Sequence, residues 1–104
     1  MSIKKRVAEG TFADTSTITS SANSFNQQDG QAGHTYTFYS SSVGATATIE
    51  RENTAGQWST MIDGIAVTAG ELEVMVVNGF VEDTRATITP DSGSGDYWVE
   101  VEAN

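Results

Sequence analysis

The chain has 104 residues, with Lys plus Arg 5 against Asp plus Glu 14 and a net charge of −9 at pH 7. That length holds one domain and one core, and the acidic excess opposes binding to polyanions such as a nucleic-acid backbone or an anionic membrane. With no cysteine and one histidine, His34, thiolate chemistry and a multi-histidine metal site within one chain are excluded, and no run approaches the ~18 apolar residues of a membrane span.

Val, Ile and Thr make up 29 residues, whereas Leu occurs once, at Leu72, and Lys twice. β-Branched side chains favour strands and disfavour helices, so an all-β antiparallel sandwich is expected, jelly-roll-like or Ig-like, with about seven or eight short strands and little or no helix.

In chain order, Met1–Arg6 holds three of the five basic residues, and no apolar segment follows them as a signal peptide would require. Residues 1–10 are therefore read as a basic N-terminal arm, and 11–104 as a single β-sandwich domain. An arm of this charge suits an acidic neighbour, such as another copy of the chain. Short strands are expected near Thr11–Phe12 and Thr15–Thr19, followed by a long polar loop from Ser20 to Gly33.

From His34 to Ser41 the residues alternate, with Tyr36 and Phe38 on one face and Thr35, Thr37 and Tyr39 on the other. Ala45, Ala47 and Ile49 share a face opposite Thr46, Thr48 and Glu50. A turn over 53–57 leads to a strand with Trp58, Thr60 and Ile62 on one side. Asp63-Gly64 is read as a break, with Ile65–Val67 a short edge strand beyond it. Leu72–Val77 is apolar on both faces, the pattern of a strand covered on both sides. Asn78-Gly79 reads as a tight turn. Arg85–Thr89 alternates again, and Pro90–Asp96 reads as a glycine-rich hairpin loop. In the last strand Tyr97, Val99 and Val101 oppose Trp98, Glu100 and Glu102.

Chemistry finds little purchase in this pattern. His34 is expected as a surface residue at a strand end, and no nucleophile-elbow pattern accompanies it, so no catalytic residue is assigned. The acids fall on loops and outward strand faces rather than on a cleft, as a glycosidase would require. Asp91 with Asp96, or Glu82 with Asp83, could hold calcium, but neither matches a calcium-loop spacing, and no metal or cofactor is assigned. Trp98, on the polar face of its strand, is the best candidate for stacking on a sugar, with Tyr97, Asp91 and Asp96 near it; cover by the N-terminal segment or by another subunit is the competing use of that ring.

A strand, then Ala47-Thr48-Ile49-Glu50-Arg51, a glycine-containing turn and Gln57-Trp58-Ser59-Thr60-Met61 form a recurring pattern. A Thr-Ala-Gly-Glu turn, Gly79-Phe80-Val81, Arg85-Ala86-Thr87-Ile88-Thr89, a glycine-rich turn and a strand of alternating valines complete it. Over Tyr36–Val101, about two-thirds of the chain, this resembles the small β-sandwich proteins encoded among bacteriophage virion genes. The resemblance implies a non-enzymatic structural role: a capsid decoration (cement) protein on the virion surface, or a neck, tail or fibre component. The implied partners are the major capsid protein and other virion proteins, with a homo-trimer as the specific assembly and no nucleic acid or membrane bound. Partner-binding residues are expected in the arm, at Ile3, Lys4, Lys5 and Arg6, and in the loop at Phe25, Asn26, Gln27, Gln28 and Asp29. The alternative is a tail or fibre module that attaches to a host-surface glycan through Tyr97, Trp98, Asp91 and Asp96.

Overall fold

A computed structural model describes residues 3–22, 33–53, 56–78 and 83–103. The described residues form eight strands and no helix: β1 (Ile3–Thr11), β2 (Ile18–Thr19), β3 (Gly33–Ser40), β4 (Ala45–Glu52), β5 (Trp58–Val67), β6 (Leu72–Asn78), β7 (Thr84–Pro90) and β8 (Asp96–Ala103). They make two four-stranded sheets of order β1-β8-β3-β6 and β2-β7-β4-β5, with every pairing antiparallel. Only β4 and β5 are consecutive in sequence and adjacent in space. Every other connection crosses between sheets or skips a neighbour, and the resulting order is that of a jelly roll rather than an Ig sandwich.

The core lies between the sheets and follows the alternation. Tyr36, Phe38, Val99 and Val101 from one sheet meet Ala47, Ile49, Ala86 and Ile88 from the other, all fully buried. Phe12 stacks on Tyr97 with ring centroids 4.5 Å apart and closes one end of the core. At the other end, the Tyr36 hydroxyl lies 2.7 Å from Thr84 Oγ1, and Thr84 Oγ1 lies 3.4 Å from His34 Nδ1. These contacts bridge the two sheets, because β3 belongs to one and β7 to the other.

Several expectations are corrected by this arrangement. Residues 3–10, read from charge as an arm, belong to β1, which pairs with β8 along its length. A buried Val7 on an otherwise charged segment anchors it. His34 is buried, 4% exposed, on the same side of β3 as Tyr36 and Phe38. The chain is not broken at Asp63-Gly64: β5 runs through it. Moving along the β4–β5 pair from Ala47↔Ile65 to Ile49↔Ile62, and then to Glu50↔Thr60, adds an extra β5 residue at each step. Gly64 at φ +66° takes a conformation that side-chain-bearing residues rarely adopt, so the bulge absorbs what reads as a turn. The 91–95 connection does not join hairpin partners, since β7 and β8 lie in different sheets, and Gly79 of the Asn78-Gly79 turn lies outside the described residues. The 53–57 turn does close a hairpin, with the Asn53 N–H donating to the Gln57 carbonyl at 2.8 Å.

Candidate interaction surface

β6 is an edge strand whose inner face packs Met75 and Val77 toward the core. Its outer face carries Leu72, Val74 and Val76, exposed by 59%, 53% and 49%. The expectation of cover on both sides therefore fails on the outer side. These are the large apolar residues that the fold leaves most open among those described.

The pairing registers place this stripe in level rows across the sheet. One row runs Glu9, Trp98, Tyr39, Leu72; the next Arg6, Glu100, Thr37, Val74; the third Lys4, Glu102, Thr35, Val76. Alternation puts all of them on the outer face. In the first row Tyr39 stacks on Trp98 at 5.5 Å between centroids, and the Arg6 guanidinium sits 4.3 Å from the Trp98 ring centroid. Since β1 and β3 flank β8, the indole is held between a cation from one side and a phenol from the other. Arg6 also lies 3.4 Å from Glu9 and 3.7 Å from Glu100. The face thus grades from charged at β1, through aromatic and threonine, to apolar at β6.

The outer face of the second sheet is built differently. Thr17 and Thr89 share a hydrogen bond of 2.7 Å between their hydroxyls, and Thr48 and Thr87 one of 2.5 Å. Arg85 donates to Glu50 at 2.7 Å and lies 4.3 Å from the Trp58 ring centroid.

Of the residues expected to bind partners, Ile3, Lys4, Lys5 and Arg6 lie together in β1, while Phe25, Asn26, Gln27, Gln28 and Asp29 lie outside the described residues. The glycan candidates are not brought together. Tyr97 is core, stacked on Phe12, and points to the opposite side of β8 from Trp98. Asp96 opens β8 and accepts a hydrogen bond from Thr11 Oγ1 at 2.9 Å, while Asp91 sits in the connection between β7 and β8. That connection packs against residues 13–14 and 41–44: the Asp91 N–H donates to the Gly44 carbonyl, and the positions of Gly93 and Gly95 abut Asp14 and Ser42. The neighbouring Asp14 carboxyl is held below the ordinary carboxylate range by hydrogen bonds from the Ser16 hydroxyl and N–H. Among the described residues no three acidic or histidine side chains converge as a metal site would need, and Glu82 of the second calcium candidate lies outside them. Burial pushes the His34 imidazole below its ordinary value. Sequence reasoning missed the apolar stripe of β6, although the alternation that holds it was visible; edge position leaves no local trace.

No protein-family model matches the chain, and no curated protein matches it in sequence. Solved structures do share its fold. The PBSX exported protein XepA superposes with a TM-score of 0.75 at 14% identity, over 97% of this chain and 36% of that one. A subunit from "Bacillus endospore appendages form a novel family of disulfide-linked pili" gives 0.53 at 12% identity, over 99% and 88%. A chain from a structure of infectious bursal disease virus gives 0.50 at 14% identity, over 98% and 32%. The present chain thus spans about a third of the length of the first and third of these proteins and most of the second. At these identities the likeness is one of fold: the chain is similar to β-sandwich units found in phage, viral and spore-surface proteins.

Proposed function

We propose that this chain is a non-enzymatic structural component of a bacteriophage virion, acting as a capsid decoration protein that clamps neighbouring major-capsid subunits. The observation that carries this reading is the outer face of β1-β8-β3-β6, where exposed Leu72, Val74 and Val76 continue an aromatic and charged surface. An apolar patch rimmed by polar groups on a small domain marks a surface to be covered. The jelly roll is used widely in viral shells, and the fold is shared with a protein of phage PBSX and with a viral capsid structure. The mechanism is mechanical. A rigid sandwich that buries this face against two subunits at once resists their separation, because separating them re-exposes the buried surface to water. The sugar-binding alternative is weakened by the burial of Tyr97 and by the occupation of Trp98 by Arg6 and Tyr39.

The test is made on particles purified from cells producing the phage that encodes the chain. Quantitative mass spectrometry is expected to find the protein at a fixed ratio to the major capsid protein. Val74→Lys should strip it from the particle, whereas Thr46→Lys, on the other outer face, should not. Absence of the wild-type chain from purified particles overturns the proposal.

A further inference from the structure

Among the described residues the two sheets present four edge strands, and two of them are guarded against further pairing. β2 is two residues long. β5 carries two extra residues relative to β4 and a left-handed Gly64. β1 has a register shift between Arg6 and Ala8, but its stretch Ile3–Arg6, which bears Lys4, Lys5 and Arg6, keeps a regular register. Shortness and bulges are among the devices by which sheets avoid edge-to-edge association. β6 has none of them. It pairs with β3 in unbroken register over all seven residues, contains no Gly, Pro or Lys, and has no strand on its other side among the described residues.

We propose that the β6 edge receives the β1 edge of a second copy of this chain, continuing the sheet head to tail. Three observations favour this occupant. First, strand directions alternate across β1-β8-β3-β6, so a copy in the same orientation presents its β1 antiparallel to β6. Second, charge is complementary. The chain carries −9 overall, yet three of its five basic residues lie within the first six, while Glu71 and Glu73 flank and enter β6. Pairing β6 with β1 brings acid toward base. Third, the level rows carry over without a shift. The incoming Arg6 and Lys4 fall beside Val74 and Val76, where their aliphatic stems cover the apolar stripe. The incoming Lys5 falls beside Met75, one diagonal step from Glu73, within reach of a cross-strand pair.

Such a contact uses a different patch on each copy, so it closes into a ring or extends as a filament. The inference stands on the edges of the sheet and does not depend on the capsid reading. The experiment is sedimentation velocity over a concentration series on the intact chain and on two variants, Val74→Lys and the double variant Lys4→Glu/Lys5→Glu. The wild type is expected to exceed the 11.0 kDa monomer mass increasingly with concentration. Each variant alone should remain at that mass. An equimolar mixture should form a dimer of twice the mass and nothing larger, because one variant keeps a working β6 edge and the other a working β1 edge. Formation of that dimer also shows that both variants fold. A wild type that stays monomeric at millimolar concentration overturns the proposal, as does a mixture that stays monomeric while both variants melt cooperatively. Self-association of the Lys4→Glu/Lys5→Glu variant overturns it in favour of a symmetric β6–β6 dimer. For a Val74→Lys chain that does not fold, Val76→Lys, facing the incoming Lys4, replaces it with the same expectations.

Discussion

The two outer faces of the sandwich rest on one core but have different chemistry. On the β2-β7-β4-β5 side, threonine hydroxyls bond one another across strands and Arg85 is matched by Glu50. That face satisfies its own polar groups and tolerates water. On the β1-β8-β3-β6 side, ion pairs and a stacked indole give way to three exposed aliphatic residues at β6. The contrast separates a polar, internally bonded face from one with an exposed apolar stripe. Both faces obey the same inside–outside alternation, so only the outward residues and their place in the strand order distinguish them.

The comparison assumes that the two faces are backed equally, and the largest expected effects test that. Phe38 lies behind the apolar face and Ile49 behind the threonine face, both fully buried. Phe38→Ala should cost about 3–5 kcal/mol and Ile49→Ala about 2–5 kcal/mol, read by chemical denaturation. If only one of them weakens the fold, the sheets do not share a single cooperative core. A smaller effect tests the link between them. Thr84→Val removes the hydroxyl that meets Tyr36 and His34 across the sandwich and should cost about 1–3 kcal/mol, because buried polar partners lose a hydrogen bond without gaining water. A neutral result would mean that the sheets are joined by apolar packing alone at that end.

The smallest effect is a pH dependence at the same bridge. Burial disfavours the charged imidazole, so the folded-state pKa of His34 lies below its ordinary value of 6.5. The unfolded chain then binds the proton more tightly. Stability is complete above the ordinary value and is lost as pH falls through it toward the folded-state value. A thermal melt series from pH 7.5 to 5.5 should show the midpoint falling in the wild type and falling less in His34→Gln. Equal slopes in the two chains would remove His34 as the cause.

Much of the fold was legible locally. Tyr36 and Phe38, Ala45, Ala47 and Ile49, and Val99 and Val101 read as inward from alternation alone, and the structure buries each of them. His34 obeys the same alternation as Tyr36, yet a single titratable residue near a strand end reads as surface unless the opposing strand, here β7 with Thr84, is known. The basic segment reads as an arm because charge dominates it. Val7, the strongly buried side chain among its described residues, shows its weight only once β8 lies beside it.

By itself, then, the sequence determined the class of the protein: a cysteine-free, acidic, all-β chain whose apolar residues alternate at the period of strands. Alternation is a property of neighbouring residues, so it survives without knowledge of the fold. Strand order is a property of residues far apart in the chain. The tertiary structure alone decided that the sandwich is a jelly roll, that Asp63-Gly64 is a bulge, and that β6 lies at an edge. The two-layer packing, which leaves the outer face uncovered, made an apparently core strand into an exposed apolar stripe. The same Leu72-Glu73-Val74-Met75-Val76 would be covered in a central strand between two layers. On the outer face of a two-layer sandwich, with no third layer over it, the stripe of Leu72, Val74 and Val76 stays open to solvent.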